Sequence, residues 1–103
     1  MVTELTNGKF NEFIKEGTVL IDFSADWCMP CVMMGPIVED IAKKFSKQLK
    51  VGKVNVEEGR EIAQKFNVSS IPNFVLFKEG KVLTNFVGAM SEEDFSERLK
   101  KFI

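Results

Sequence analysis

Cys28 and Cys31 are the only cysteines of the chain, and Met29 and Pro30 lie between them. The pair follows an apolar run, Thr18–Ser24, and precedes an amphipathic one, so it falls where a strand hands over to a helix. A helix start leaves backbone N–H groups without intrahelical partners and carries a partial positive charge. A cysteine placed there is driven toward thiolate, the nucleophilic form. Cys31 follows about one helical turn later, near enough to close a disulfide. The placement predicts a dithiol that cycles between reduced and oxidised states.

Three other readings of the pair compete. A structural disulfide closing so short a loop stabilises by only about 2 kcal/mol in the chain-entropy model, less than longer loops do. Structural zinc takes a full tetrahedral ligand set, usually as two ligand pairs. This chain has one pair and no histidine, which leaves only a metal or cluster shared between two chains. Last, the two thiols could be unrelated buried cysteines. None of the three uses the strand-to-helix position, and no metal is expected.

The elements that must position the pair fit one domain, residues 1–103. With 45% hydrophobic residues and ten Phe, the chain can build a real core. The net charge is −1 with both signs interspersed, which gives no footprint for nucleic acid or an anionic membrane. No run is apolar and long enough to cross a bilayer. Met1–Thr6 lacks the basic and apolar regions of a signal peptide. The expectation is a cytoplasmic protein in a reducing compartment, where a cysteine pair is more often catalytic than structural.

Val2–Leu5 reads as a short strand. Phe10, Phe13 and Ile14 recur at helical spacing, so Asn7–Glu16 reads as a helix ended by Gly17. Thr18–Ser24 is a strand apolar enough to be covered on both faces. Cys28 to about Leu49 reads as a long helix kinked at Pro36, with Ile37, Val38, Ile41, Ala42 and Phe45 as its buried stripe. Val51–Glu57 is a further strand, and Glu58–Phe66 a short helix with Ile62, Ala63 and Phe66 inward. Asn73–Lys78 and Lys81–Val87 are strands separated only by Glu79-Gly80, hence an antiparallel hairpin. Ser91 caps a last helix, with Asp94 in a near capping box and Phe95, Leu99 and Phe102 on the buried face. The order βαβαβαββα predicts an α/β protein: a mixed central sheet with helices on both faces.

Five motifs stand in register along this framework: Asp22–Cys31 (DFSADWCMPC), Pro36, Lys53-Val54-Asn55-Val56, Ile71-Pro72 and Val87-Gly88-Ala89. With them the chain resembles the thioredoxin family over nearly its whole length. The resemblance implies the thioredoxin fold, a five-stranded sheet in the order β1-β3-β2-β4-β5 flanked by four helices. It also implies dithiol–disulfide exchange with protein disulfide substrates and a thioredoxin reductase as electron donor. The implied protein is a monomer with no cofactor beyond its own redox-active disulfide. The sequence departs from the commonest family pattern at Met29 (usually Gly), Ser24 (commonly Trp), Val32 (often Lys) and Asn73 (usually Thr). These departures bear on reduction potential and partner choice. A glutaredoxin-like enzyme using a small thiol is the rival, and the Trp-Cys-x-Pro-Cys form argues against it. A binding module that only scaffolds partners is a second rival.

Cys28, as the first helical residue, is expected to be the more exposed thiol and the nucleophile. Cys31 is expected deeper, as the resolving thiol. Pro30 stiffens the loop between them and brings no N–H. Asp22 interrupts an apolar run, and a buried carboxylate has a raised pKa that suits a general base toward Cys31. The alternative is a solvent-facing Asp at a strand end. Lys53 interrupts the next strand, and the resemblance pairs it with Asp22; the alternative is a lysine reaching solvent along an apolar stem. The resemblance further implies a cis Ile71–Pro72 bond beside the sulfurs, ready for strand-addition recognition of an extended substrate. Trp27, Met29, Pro30, Ile71, Pro72, Val87, Gly88 and Ala89 are the expected substrate surface, although Trp27 alone also reads as a core aromatic.

Overall fold

The computed structural model of the chain describes residues 1–103. Its central strand, β2 (Thr18–Ser24), shows why that run is apolar throughout. Side chains alternate across a strand. Val19, Ile21 and Phe23 point to one side, where they meet Phe10, Ile14, Ile62 and Ala63. Leu20 points to the other, into Met34, Val38, Ile41, Ala42, Phe95 and Leu99. Both faces of the sheet are therefore covered, and Asp22 and Ser24 fall by the same alternation on the second side.

The first side carries α1 (Asn7–Ile14) and α3 (Arg60–Lys65), and the second carries α2 (Met29–Lys44) and α4 (Glu92–Lys100). The other strands are β1 (Val2–Glu4), β3 (Lys50–Asn55), β4 (Asn73–Lys78) and β5 (Lys81–Val87). The sheet order is β1-β3-β2-β4-β5, as the family resemblance implied. β1, β3 and β2 run parallel, and β4 lies antiparallel to β2 and β5. The β4–β5 hairpin turns at Glu79 and Gly80, with φ of 51° and 82°. A two-residue turn with both residues in this region matches the twist of the strands it joins.

Several boundaries differ from the sequence expectation for local reasons. α1 ends at Ile14, short of Glu16. α2 stops at Lys44, not near Leu49. Phe45 and Leu49 are both buried at helical spacing, but Ser46, Lys47 and Gln48 between them are exposed and offer no face to pack. β3 ends at Asn55 because that residue turns the chain: its side chain accepts the Glu57 N–H at 2.9 Å and its carbonyl those of Glu58 and Gly59. α3 begins only after that turn. α2 continues through Pro36, whose missing N–H takes one bond from the helical ladder. Ser91 caps α4 as expected, accepting the Asp94 N–H at 3.1 Å. Phe102 is a correction. It lies beyond the end of α4, 37% exposed, with only its ring edge-on to Phe86.

Candidate active site

The dithiol sits at the carboxyl end of β2, where Ala25, Asp26 and Trp27 lead into α2. Cys28 is the N-cap of that helix, with extended φ and ψ of −89° and 108°. It is not the first helical residue, and this gives its sulfur the N-cap geometry. Cys28 Sγ accepts the backbone N–H of Cys31 at 3.3 Å, satisfying one orphan donor of the helix start. A helix N-terminus is a setting that lowers a thiol's pKa. Pro30 occupies the first turn, where a missing N–H goes unnoticed. The cysteines are joined as a disulfide, with Cα atoms 5.2 Å apart.

The expected difference in exposure is absent. Cys28 and Cys31 are each 6% exposed and form one small apolar cluster with Ala25. Val56, just beyond β3, and Ile71 pack against this cluster. Both come from distant segments, and no local pattern around the cysteines announces them.

The expected substrate surface divides by exposure. Trp27 and Met29 stand 68% and 67% exposed beside the disulfide, so Trp27 is no core aromatic. Pro30, Val87 and Ala89 are also exposed, while Ile71 and Gly88 are half-buried. Pro72 is buried and does not present itself on that surface. The Ile71–Pro72 bond is cis. Gly88 donates its N–H to the Pro72 carbonyl at 2.8 Å, and Val87 registers with Asn73, so the two loops meet at one end of the sheet. Gly88 has φ of 99°, a region that disfavours any side chain. The Met90 N–H reaches Met34 Sδ at 3.4 Å and ties this loop to α2. Val32 and Met33, 55% and 65% exposed, extend the apolar rim and were not among the expected residues. Their spacing held the signal: Met33 follows Met29 by one turn, away from the buried Cys31, Met34 and Val38.

Asp22 is buried at 3% exposure. Burial raises its pKa from 3.8 to about 6, against the opposing charge of Lys53. Lys53 registers directly across from it on β3 and is half-buried. It forms no contact ion pair with the carboxylate, so its influence is a field and not a bond. Asp22 Oδ1 has no hydrogen-bond partner. The carboxylate lines a cavity of about 180 Å³ together with Val2, Glu4, Gly35, Val38, Glu39 and Lys53. Cys31 lies one turn before Gly35 on α2 and does not line that cavity. No three Cys, Asp or Glu side chains gather as a metal-holding group, and no helix is long and apolar enough to cross a membrane.

Comparison with known proteins agrees with this geometry. A family model described as Thioredoxin matches residues 1–101. The chain is 37% identical to a protein named Thioredoxin from Listeria monocytogenes, over all of both chains. It is 38% identical to a Thioredoxin from Buchnera aphidicola, over 99% of this chain and 95% of the relative. It is 37% identical to Thioredoxin 1 from Synechococcus elongatus, over 96% and 94% respectively.

Proposed function

The chain belongs to the thioredoxin family, and on that premise we propose how its residues carry out thioredoxin-type disulfide reduction. The reaction is dithiol–disulfide exchange through the reversible Cys28–Cys31 disulfide. The observation that carries the assignment of roles is the Cys31 N–H bonded to Cys28 Sγ at the cap of α2. It supports Cys28 as the sulfur that holds negative charge, an effect for which thioredoxin is itself a standard example. The Cys28 thiolate attacks a substrate disulfide, one substrate sulfur leaves, and a mixed disulfide remains on Cys28. Cys31 then loses its proton to Asp22, whose pKa of about 6 places it near neutrality. The Cys31 thiolate attacks Cys28 Sγ, the protein disulfide closes, and the second substrate thiol departs. Two electrons have passed to the substrate.

The substrates are proteins. Trp27, Met29, Val87 and Ala89 give them an exposed apolar contact, and the backbone at Ile71 supplies a pairing edge for an extended segment. Lys53 keeps the Asp22 pKa from rising further. The protein works as a single domain and a monomer in the cytoplasm, recharged by a thioredoxin reductase and needing no cofactor. Reduction of insulin disulfides tests this reading. Wild-type protein should sustain turnover with dithiothreitol or with thioredoxin reductase and NADPH, and Cys28→Ser should abolish it. Turnover driven by glutathione alone would favour the glutaredoxin-like alternative.

A further inference from the structure

Two buried side-chain polar atoms in the chain lack a hydrogen-bond partner, Asp22 Oδ1 and Ser24 Oγ. Buried polar groups are hydrogen-bonded as a rule, so each exception calls for an explanation. The proton-transfer role explains the first. Ser24 is equally buried, at 3% exposure, and the steps above make no use of it.

Their positions are related. Residues two apart on a strand point the same way, so Asp22 and Ser24 share the face of β2 that looks onto α2. β2 and β3 are parallel neighbours joined through α2, so α2 runs back against the direction of β2. Asp22 lines the same cavity as Gly35 and Val38 of α2. Moving from Gly35 to Cys31 advances about 6 Å along the helix. Moving from Asp22 to Ser24 advances about 6.6 Å along the strand in the same direction. Ser24 thus stands at the level of Cys31 as Asp22 stands at the level of Gly35. The packing of the next residue agrees, because Ala25 touches the cluster of Cys28 and Cys31.

We infer that Ser24 is a positioning residue in the proton path from Cys31 to Asp22, its hydroxyl and a bridging water linking the thiol to the carboxylate. The inference rests on Asp22 acting as the base. In the resolving step the Cys31 S–H proton passes into this chain. The Ser24 hydroxyl accepts a hydrogen bond on the Cys31 side and donates one toward Asp22, and the proton ends on the Asp22 carboxylate. The freed electron pair of Cys31 forms the bond to Cys28 Sγ, and the Cys28–substrate S–S bond breaks toward the substrate. Ser24 ends unchanged. Asp22 returns its proton to solvent through the cavity, and the departing thiolate takes one up.

The test separates attack from resolution. Reduced protein is mixed with a saturating fluorescent peptide disulfide, and the first-order release of the second peptide thiol is followed by stopped flow. Alkylation of Cys28 by iodoacetamide reads the attacking thiolate separately. Ser24→Ala should slow release by about tenfold, with Cys28 alkylation unchanged. Ser24→Thr should restore release and the isosteric Ser24→Val should not, which removes packing as the cause. In an Asp22→Asn background Ser24→Ala should slow release no further. Release at the wild-type rate in Ser24→Ala, equal behaviour of Thr and Val, or losses that multiply in the double variant would each overturn the inference. If the bulkier pair fails to fold, the Ala variant and the double variant decide alone. Slow release in Asp22→Asn with normal release in Ser24→Ala would sink only the role of Ser24. Normal release in Asp22→Asn would sink the base assignment and this inference with it.

Discussion

Replacing Asp22 should make the protein more stable and slower, and the stability gain should depend on pH in a defined way. The carboxyl is buried, one of its oxygens has no partner, and its pKa rises from 3.8 to about 6. The folded state therefore holds this proton more tightly than the unfolded chain does. Between those two values the folded protein binds more protons, so its stability falls as pH rises through the window. Above about pH 6 the full destabilisation is present, about 3 kcal/mol at about 1.4 kcal/mol per pH unit. Asp22→Asn keeps the shape and removes the ionisation. Its advantage over wild type should be near zero at about pH 4, grow between the two pKa values and level off near neutrality. For a domain of this size that plateau corresponds to a rise in Tm of about 10–20 °C. Urea unfolding at a series of pH values measures it, with insulin reduction run in parallel. Turnover should fall by at least about tenfold, because the resolving thiol loses its base. A stability difference that is the same at about pH 4 and about pH 8 would show that ionisation is not its source. A variant less stable and equally active would make Asp22 a structural partner instead of a base.

Other perturbations probe the scaffold and the surface. Ser91→Ala removes the cap whose Oγ accepts the Asp94 N–H, and should lower unfolding free energy by about 1 kcal/mol in urea titrations, without changing activity. Phe95→Ala should cost about 3–5 kcal/mol, since the ring is fully buried between Phe74 and Phe86; the midpoint of denaturation checks it. Val87→Asp places a charge on the exposed rim. It should raise KM for a protein disulfide while leaving iodoacetamide alkylation of Cys28 unchanged.

Much of the fold was legible because β2, α2 and the β4–β5 hairpin carry strong local signals. Continuous apolar character placed Thr18–Ser24 in the sheet centre, and the two-residue gap at Glu79-Gly80 fixed an antiparallel pair. The cysteine pair stood out by its place between a strand and a helix, and Asp22 because it breaks an apolar run. What could not be read depends on contacts between distant segments. Cys28 is as buried as Cys31, in a cluster that Val56 and Ile71 pack against, so helix position alone misjudged its exposure. The early end of β3 comes from one asparagine side chain bonding forward, which competes with the strand pattern. Phe102 keeps helical spacing with Phe95 and Leu99, but the helix ends before it and leaves it at the surface. Ser24 was legible only as a departure from the family pattern, and nothing in the sequence showed that its hydroxyl is buried without a partner.

The account rests on Cys28 attacking and Cys31 resolving, and mixed-disulfide trapping tests that division of labour most directly. Each single Cys→Ser variant is incubated with a peptide disulfide, quenched in acid and weighed intact by mass spectrometry. Cys31→Ser should accumulate a covalent peptide adduct on Cys28, because attack proceeds and nothing resolves it. Cys28→Ser should remain unmodified on the same timescale, since Cys31 lacks the N-cap position whose sulfur accepts a backbone N–H. An adduct that builds up on Cys31 in Cys28→Ser, with Cys31→Ser left bare, would reverse the roles and contradict the mechanism.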